Sequence, residues 1–364
     1  MKGKTVYEKL TQTHIYTPGP VKMAVDTLHL GAIQTPYFRN QAFSEIVLES
    51  EAMLLQMANA PPGSRCVFLT ASGTAAMEAC VINLLDKKHP VGVVNGGTFG
   101  QRFKDICTLH QVPVQTLLVD RDPLDDGKLL ATLKDVNALL INAHETSIGH
   151  CYDIGATGAW CRQHNALHIV DAISLFVTDP IDMQAANIDA LIISSHKGLA
   201  LPPGLSMVLL SPQALNRVRP SGSFYLDFAS HLDDGKRGQT PFTPAVSIIL
   251  QLHQRLLKLS INGLTPEWQH TAELAAHFRR GVSALPLTFY STCMPNAMTA
   301  LQVGAGWSAL QVVRALQEHH QCVVAPNGGA LRDTVFRVAH MGALNYADMD
   351  RLIAALTDVM GEQQ

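Results

Sequence analysis

Lys197 stands in Ser194-Ser195-His196-Lys197-Gly198, after the largely apolar run Ile188 to Ile193 and before Leu201-Pro202-Pro203-Gly204. A lysine is seldom placed among small residues at the end of a buried strand for packing alone. Burial lowers the pKa of its amine and makes it a nucleophile, the preparation for a Schiff base. Asp171 lies 26 residues earlier, at the end of His168-Ile169-Val170. A carboxylate there can cap a turn, or it can hold the N–H of a pyridinium ring and keep that ring an electron sink. A turn, a short helical piece and one strand fit between the two residues, so they can end on neighbouring strands. Ser72-Gly73-Thr74 follows another apolar run and opens a helical pattern. Its hydroxyls and free N–H groups suit an N-cap or a phosphate. Phe99, after Gly96-Gly97, can stack on a flat ring or join the core. Arg337, after Val335-Phe336, can grip a carboxylate through two parallel hydrogen bonds or form a surface ion pair.

The elements that must position these residues alternate. Strand-like runs are expected at Cys66–Leu69, 91–94, 114–119, 138–143, 168–170, 191–194 and 206–210, with helical spacing at 74–85, 99–110 and 155–164. Continuous apolar strands between helices imply an α/β fold with a mostly parallel, seven-stranded sheet covered on both faces. Ligands gather at the carboxyl ends of such strands, which is where Ser72 to Thr74, Asn95 to Thr98, His144 to Ser147, Asp171 to Ser174 and Ser194 to Lys197 fall. After about residue 245 the pattern changes to long amphipathic helices (245–260, 266–283, 348–360) and short strands near 300–303, 322–325 and 335–338. The expected organisation is an arm over 1–15, a large domain over 16–245 and a smaller C-terminal α+β domain over 246–364.

With 364 residues, 47% of them hydrophobic, the chain can bury a large core divided over two or three domains. The net charge of −3 includes no basic block, which argues against nucleic acid and anionic membrane as partners. No apolar run approaches the ~20 residues of a membrane span, and the first residues have no secretory pattern. Seven scattered cysteines without a Cys-x-x-Cys pair are expected to be reduced thiols of a cytoplasmic protein. The 16 histidines have no metal spacing, so no metal is expected.

Several stretches together resemble the class V aminotransferases of the pyridoxal-phosphate fold type I superfamily, above all the alanine–glyoxylate and serine–pyruvate branch. They are Thr17-Pro18-Gly19-Pro20-Val21, Ser72 to Ala79, Gly97 to Arg102, His144 to Ser147, Asp171 to Ser174, the lysine segment through Gly204, Thr240 to Pro244 and Phe336 to Gly342. The resemblance implies a pyridoxal 5′-phosphate enzyme, a homodimer with shared active sites acting on small amino acids and 2-oxo acids. By position, it implies Lys197 as the Schiff-base lysine and Asp171 at the ring nitrogen, with Phe99 stacked on the ring. Ser72, Gly73, Thr74 and His196 would hold the phosphate. Thr146 and Ser174 would lie by the cofactor, and Thr243 would reach the phosphate of the other subunit. Gly19 and Arg337 would bind substrate.

Four positions depart from the family pattern. Phe99 replaces the usual tryptophan, and Ile148 replaces a threonine. Ala339 replaces a glycine beside Arg337. His196 stands where this branch commonly has glutamine, as in cysteine desulfurases. A lyase of that kind would need a reactive thiol on a mobile loop, for which Cys322 is the candidate, although Gln321 to Ala325 reads as a strand. The same residues also allow an aminotransferase with a 2-aminoethylphosphonate donor, or a non-catalytic member of the fold.

Overall fold

The computed structural model describes residues 12–119, 128 and 131–361; most of the expected arm and the last three residues lie outside the described residues. Seven strands form the main sheet: β1 (Arg65–Leu69), β2 (Val91–Asn95), β3 (Val114–Leu118), β4 (Ala138–Asn142), β5 (Leu167–Asp171), β6 (Ala190–Ser194) and β7 (Ser206–Leu210). Their order across the sheet is β1-β7-β6-β5-β4-β2-β3. All pairings are parallel except those of β7, which runs antiparallel to both β1 and β6.

The apolar runs are continuous because both faces are covered. In β4, Ala138 and Leu140 join one core while Leu139 and Ile141 join the other, and the alternation recurs in β6 and β7. On one face lie α2 (Gly73–Leu84) and α3 (Thr98–Leu109), through Met77, Cys80, Phe103 and Ile106; on the other lie α1 (Gln41–Met57) and α4 (Ile154–Gln163), through Val47, Leu54 and Trp160. Each fully buried aliphatic side chain contributes about 1.5–3 kcal/mol. This layering brings the carboxyl ends of β1, β2, β4, β5 and β6 to one edge.

The change of pattern near residue 245 marks the start of α5 (Val246–Asn262). The buried stripe of α5, formed by Val246, Ile249, Leu252, Leu256 and Leu259, joins the core of the large sheet. A separate core follows. It is built from α6 (Thr265–Gly281), α7 (Ala309–His320) and α8 (Tyr346–Gly361) around a four-stranded antiparallel sheet. That sheet comprises β8 (Leu287–Phe289), β9 (Met298–Val303), β10 (Ala325–Pro326) and β11 (Val335–Ala339), in the order β8-β9-β11-β10. The expected strand over 322–325 is divided: Cys322–Val323 pairs instead with His14–Ile15, and only Ala325–Pro326 joins this sheet. Tyr16, next to that pair, is buried in the smaller core and its hydroxyl donates to the Asp348 carbonyl. No helix among the described residues is long and apolar enough to cross a membrane.

Candidate active site

Asp171 is the last residue of β5 and is almost fully buried. One carboxylate oxygen accepts from the Ile173 N–H (2.8 Å) and the other from Asn142 Nδ2 (2.7 Å) at the end of β4. Burial raises its pKa to about 6 against the opposing pull of these donors and of Lys197. Lys197 follows the end of β6, one strand away, and is also buried. Its pKa falls to about 8: burial is the main cause, Asp171 opposes it, and Arg337 and Arg102 add to it. Gly19 closes over this amine. A Cβ there would lie 2.7 Å from Lys197 Cε and 2.9 Å from His196 Cδ2, and its φ of +155° also disfavours a side chain.

Around this pair the other expected residues form a connected wall. Ser72 is the N-cap of α2, yet its side chain makes no capping bond, so the first N–H groups of the helix have no side-chain cap. Gly73 faces the side chains of Ile173 and Ser194. The Thr74 hydroxyl accepts from Arg102 (2.9 Å), whose guanidinium lies 4.7 Å from the centre of the Phe99 ring. His196 Nδ1 is 3.1 Å from the Ser194 hydroxyl, and burial lowers its pKa to about 4, so the ring is neutral. The Thr146 hydroxyl meets that of Ser174 at 2.8 Å. Arg337 reaches across from β11: its two terminal nitrogens donate to the carbonyls of Thr146 (3.3 Å) and Pro326 (2.7 Å), while its buried Nε has no partner among the described residues.

Thr243 stands apart. It is exposed, in a segment tied to the end of β1 by the Ala245 N–H donating to the Thr70 hydroxyl (2.8 Å). Cys322 is fully buried in its short strand, its thiol pKa raised by burial, and it offers no loop nucleophile.

Two residues within the family-like stretches were given no role by sequence reasoning. The buried Glu145 carboxylate accepts from the N–H groups of Phe99, Gly100 and Ser147 and from the Ser147 hydroxyl. It therefore anchors the start of α3. Gly97 permits the approach, since a Cβ there would lie 2.7 Å from Glu145 Cδ. An acidic residue three positions past the end of β4, facing a Gly-Gly helix start, was the available signal. Arg102 was signalled only by its spacing on α3, one turn after Phe99.

The family model of the class V aminotransferases matches residues 32–333. The chain belongs to this family. Its enzyme class is that of the pyridoxal-phosphate-dependent transaminases. The residues present fit such a cofactor: a buried amine, a buried carboxylate, a helix start without a side-chain cap and an aromatic ring share one edge of the sheet. The chain is 26% identical to a 2-aminoethylphosphonate–pyruvate transaminase of Pseudomonas fluorescens, over 96% of this chain and 97% of that one. It is also 26% identical to an L-aspartate–glyoxylate aminotransferase of Paracoccus denitrificans, over 97% and 92%. The solved structure of a subgroup IV aspartate aminotransferase from Thermus thermophilus superposes with a TM-score of 0.90 at 27% identity, covering 96% of this chain and 99% of that one.

Proposed function

We propose that this aminotransferase moves an amino group from a small alanine- or serine-like donor to a 2-oxo acid such as pyruvate or glyoxylate, as a cytoplasmic homodimer with shared sites. The observation that carries this reading is Arg337. It is a largely buried guanidinium on the smaller sheet, without an ion-pair partner among the described residues, facing the constellation around Lys197. A substrate carboxylate supplies the missing charge. The large core then carries Lys197 and Asp171, and the small core carries the carboxylate grip.

When bound, pyridoxal 5′-phosphate supplies an aldehyde and a ring that accepts the electrons of a deprotonated carbon. Lys197 offers its amine to the aldehyde. When free as the neutral amine, Lys197 Nζ serves as the base that takes and returns the proton of the substrate α-carbon. Asp171, fixed by Ile173 and Asn142, receives the ring N–H and keeps the nitrogen protonated. Ser72, Gly73, Thr74 and His196 receive the phosphate at the start of α2. Phe99, backed by Arg102, covers the ring, while Gly19 keeps the chain close to the amine without obstructing it. Thr243, exposed on its own chain, serves the phosphate of the other subunit. The dimer is supported by aromatic surface beside it: Phe224 and Tyr37 are 86% and 70% exposed, and Tyr225 stacks on Phe242. Five cysteines buried as free thiols agree with a reducing compartment.

The Pseudomonas fluorescens relative, which matches nearly end to end, supports a second reading with a 2-aminoethylphosphonate donor. A half-reaction screen separates the two. The cofactor-loaded enzyme is mixed singly with alanine, serine, aspartate, glutamate and 2-aminoethylphosphonate, and the absorbance of the lysine-linked cofactor is followed. Rapid loss with alanine or serine supports the first reading, and loss with the phosphonate alone overturns it. Sedimentation at micromolar concentration tests the dimer.

A further inference from the structure

Three side chains at the edge of the site form a chain of their own. Ser174 Oγ lies 2.9 Å from His144 Nδ1 and 2.8 Å from Thr146 Oγ1. All three residues are buried: His144, Ser174 and Thr146 are 3%, 4% and 4% exposed. The Thr146 hydroxyl otherwise meets only the His144 carbonyl among the described residues, at 3.5 Å, the limit of a hydrogen bond. His144 Nε2 has no partner among the described residues.

Hydrogen counting leaves two arrangements. If Ser174 donates to Nδ1, Thr146 must donate to Ser174 and has no hydrogen left for a ligand. If Nδ1 carries the proton, Ser174 accepts it, gives its own hydrogen to Thr146, and frees the Thr146 hydrogen. The surroundings choose between them. Burial and then the Lys197 charge push the His144 pKa down to about 3, so the ring is neutral and has one N–H. The Lys197 and Arg337 charges act on it, and a hydrogen bond to Ser174 opposes them. An N–H at Nε2 would be a buried donor with no acceptor among the described residues, whereas at Nδ1 it meets Ser174 Oγ, which places the proton on Nδ1.

We infer that His144 is a positioning residue: His144 Nδ1–H donates to Ser174, Ser174 donates to Thr146, and the Thr146 hydroxyl is thereby held as a donor to a ligand oxyanion, the ring oxygen of the cofactor. This rests on the cofactor placement proposed above. Losing the donor makes the ring oxygen more basic, so the Schiff-base proton is held more tightly.

The test is a pH titration of the lysine-linked cofactor absorbance in the wild type and in His144→Phe, His144→Asn, Ser174→Ala and Thr146→Val. A lost charge-assisted hydrogen bond corresponds to an upward shift of about one pH unit. His144→Phe, Ser174→Ala and Thr146→Val are expected to share it. His144→Asn, whose amide can replace Nδ1–H, is expected to stay near the wild type. Ser174→Ala/Thr146→Val together should shift no further than Thr146→Val alone. Unchanged midpoints in both His144→Phe and Ser174→Ala, or a downward shift, would overturn the chain while leaving the cofactor placement intact. A wild type whose cofactor is not linked to Lys197 overturns the placement itself, and the chain with it. Ser174→Ala removes a single atom, so the test does not depend on His144→Phe folding.

Discussion

The lowered pKa of Lys197 makes a quantitative prediction about the apoenzyme. At a pKa of about 8, roughly a quarter of the amine is neutral at about pH 7.5, against about one part in a thousand at the ordinary lysine value. The buried amine is therefore about 200-fold richer in its nucleophilic form than a surface lysine. The assay is reductive trapping. Apoenzyme is mixed briefly with pyridoxal 5′-phosphate and cyanoborohydride from pH 6 to 10, and the label is located by peptide mapping. Labelling of Lys197 should rise with pH to a midpoint near 8 and then level off. The causes of the shift fix the signs for variants. Asp171→Asn removes the charge that raises the pKa and should lower the midpoint; Arg337→Gln and Arg102→Gln remove charges that lower it and should raise it. Pyridoxal without its phosphate, run in parallel, separates amine titration from phosphate binding. Labelling that still climbs tenfold per unit above pH 9, or variants that move the midpoint the other way, would refute the assignment of burial and these three charges as the cause.

Glu145→Gln should destabilise the fold by about 3 kcal/mol. Both carboxylate oxygens accept from N–H or O–H donors, so either orientation of the amide turns its NH2 toward a donor; urea denaturation of the apoenzyme measures this. Arg337→Lys should raise KM for the amino acid and lower kcat/KM about 100-fold, with the affinity for cofactor unchanged, because a compact ammonium cannot replace the two-pronged grip. His168 is fully buried between the Thr157 hydroxyl and the Ala186 carbonyl, and burial lowers its pKa to about 4. A histidine held neutral in this way supports the fold fully above its unfolded pKa of about 6.5 and progressively less as pH falls toward about 4. The stability lost over that window should be about 3 kcal/mol from this residue, and His168→Gln should flatten the acid limb of the urea-midpoint profile.

Six of the seven strands were legible because burial on both faces leaves them largely apolar, while the edge strand β3 is half-exposed and carries Gln115 and Thr116; the carboxyl ends stood out as the places where small and polar residues interrupt. The direction of β7 was not legible: Ser206 to Leu210 is apolar in either orientation, and only its pairing with β1 and β6 makes it antiparallel. The same limit applies to α5, whose amphipathic stripe announced a buried face without saying which core it joins. Lys197, Asp171 and Arg337 were legible as types, since charges at the ends of apolar runs need a reason. Glu145 was not, because its role depends on donors 45 to 46 residues away in the chain. Thr243 remained a family position only: it was expected to serve the other subunit, and within one chain it lies exposed at the surface.

Asp171 and Lys197 together carry a final consequence. Both shifts run toward the neutral form, Asp171 up to about 6 and Lys197 down to about 8, with burial as the main cause of each and mutual attraction too weak to cancel it. The raised carboxyl favours folding below its unfolded pKa, and that contribution is lost as pH rises through about 6. The lowered amine favours folding above its unfolded pKa, and that contribution is lost as pH falls through about 8. From pH 6 to 8 neither contribution remains, and the chain folds around two charges that burial opposes. A pair kept for stability would not be tuned so; replacing a buried ion pair by groups of similar shape is often stabilising by 1–4 kcal/mol. Lys197→Met/Asp171→Asn should therefore raise the urea midpoint of the apoenzyme at about pH 7, and less so at about pH 5, where Asp171 already carries its proton. A double variant less stable than the native chain at pH 7 would show that the pair supports the fold. A more stable one would place the two residues where the loss of a local rule is compensated by function rather than by packing.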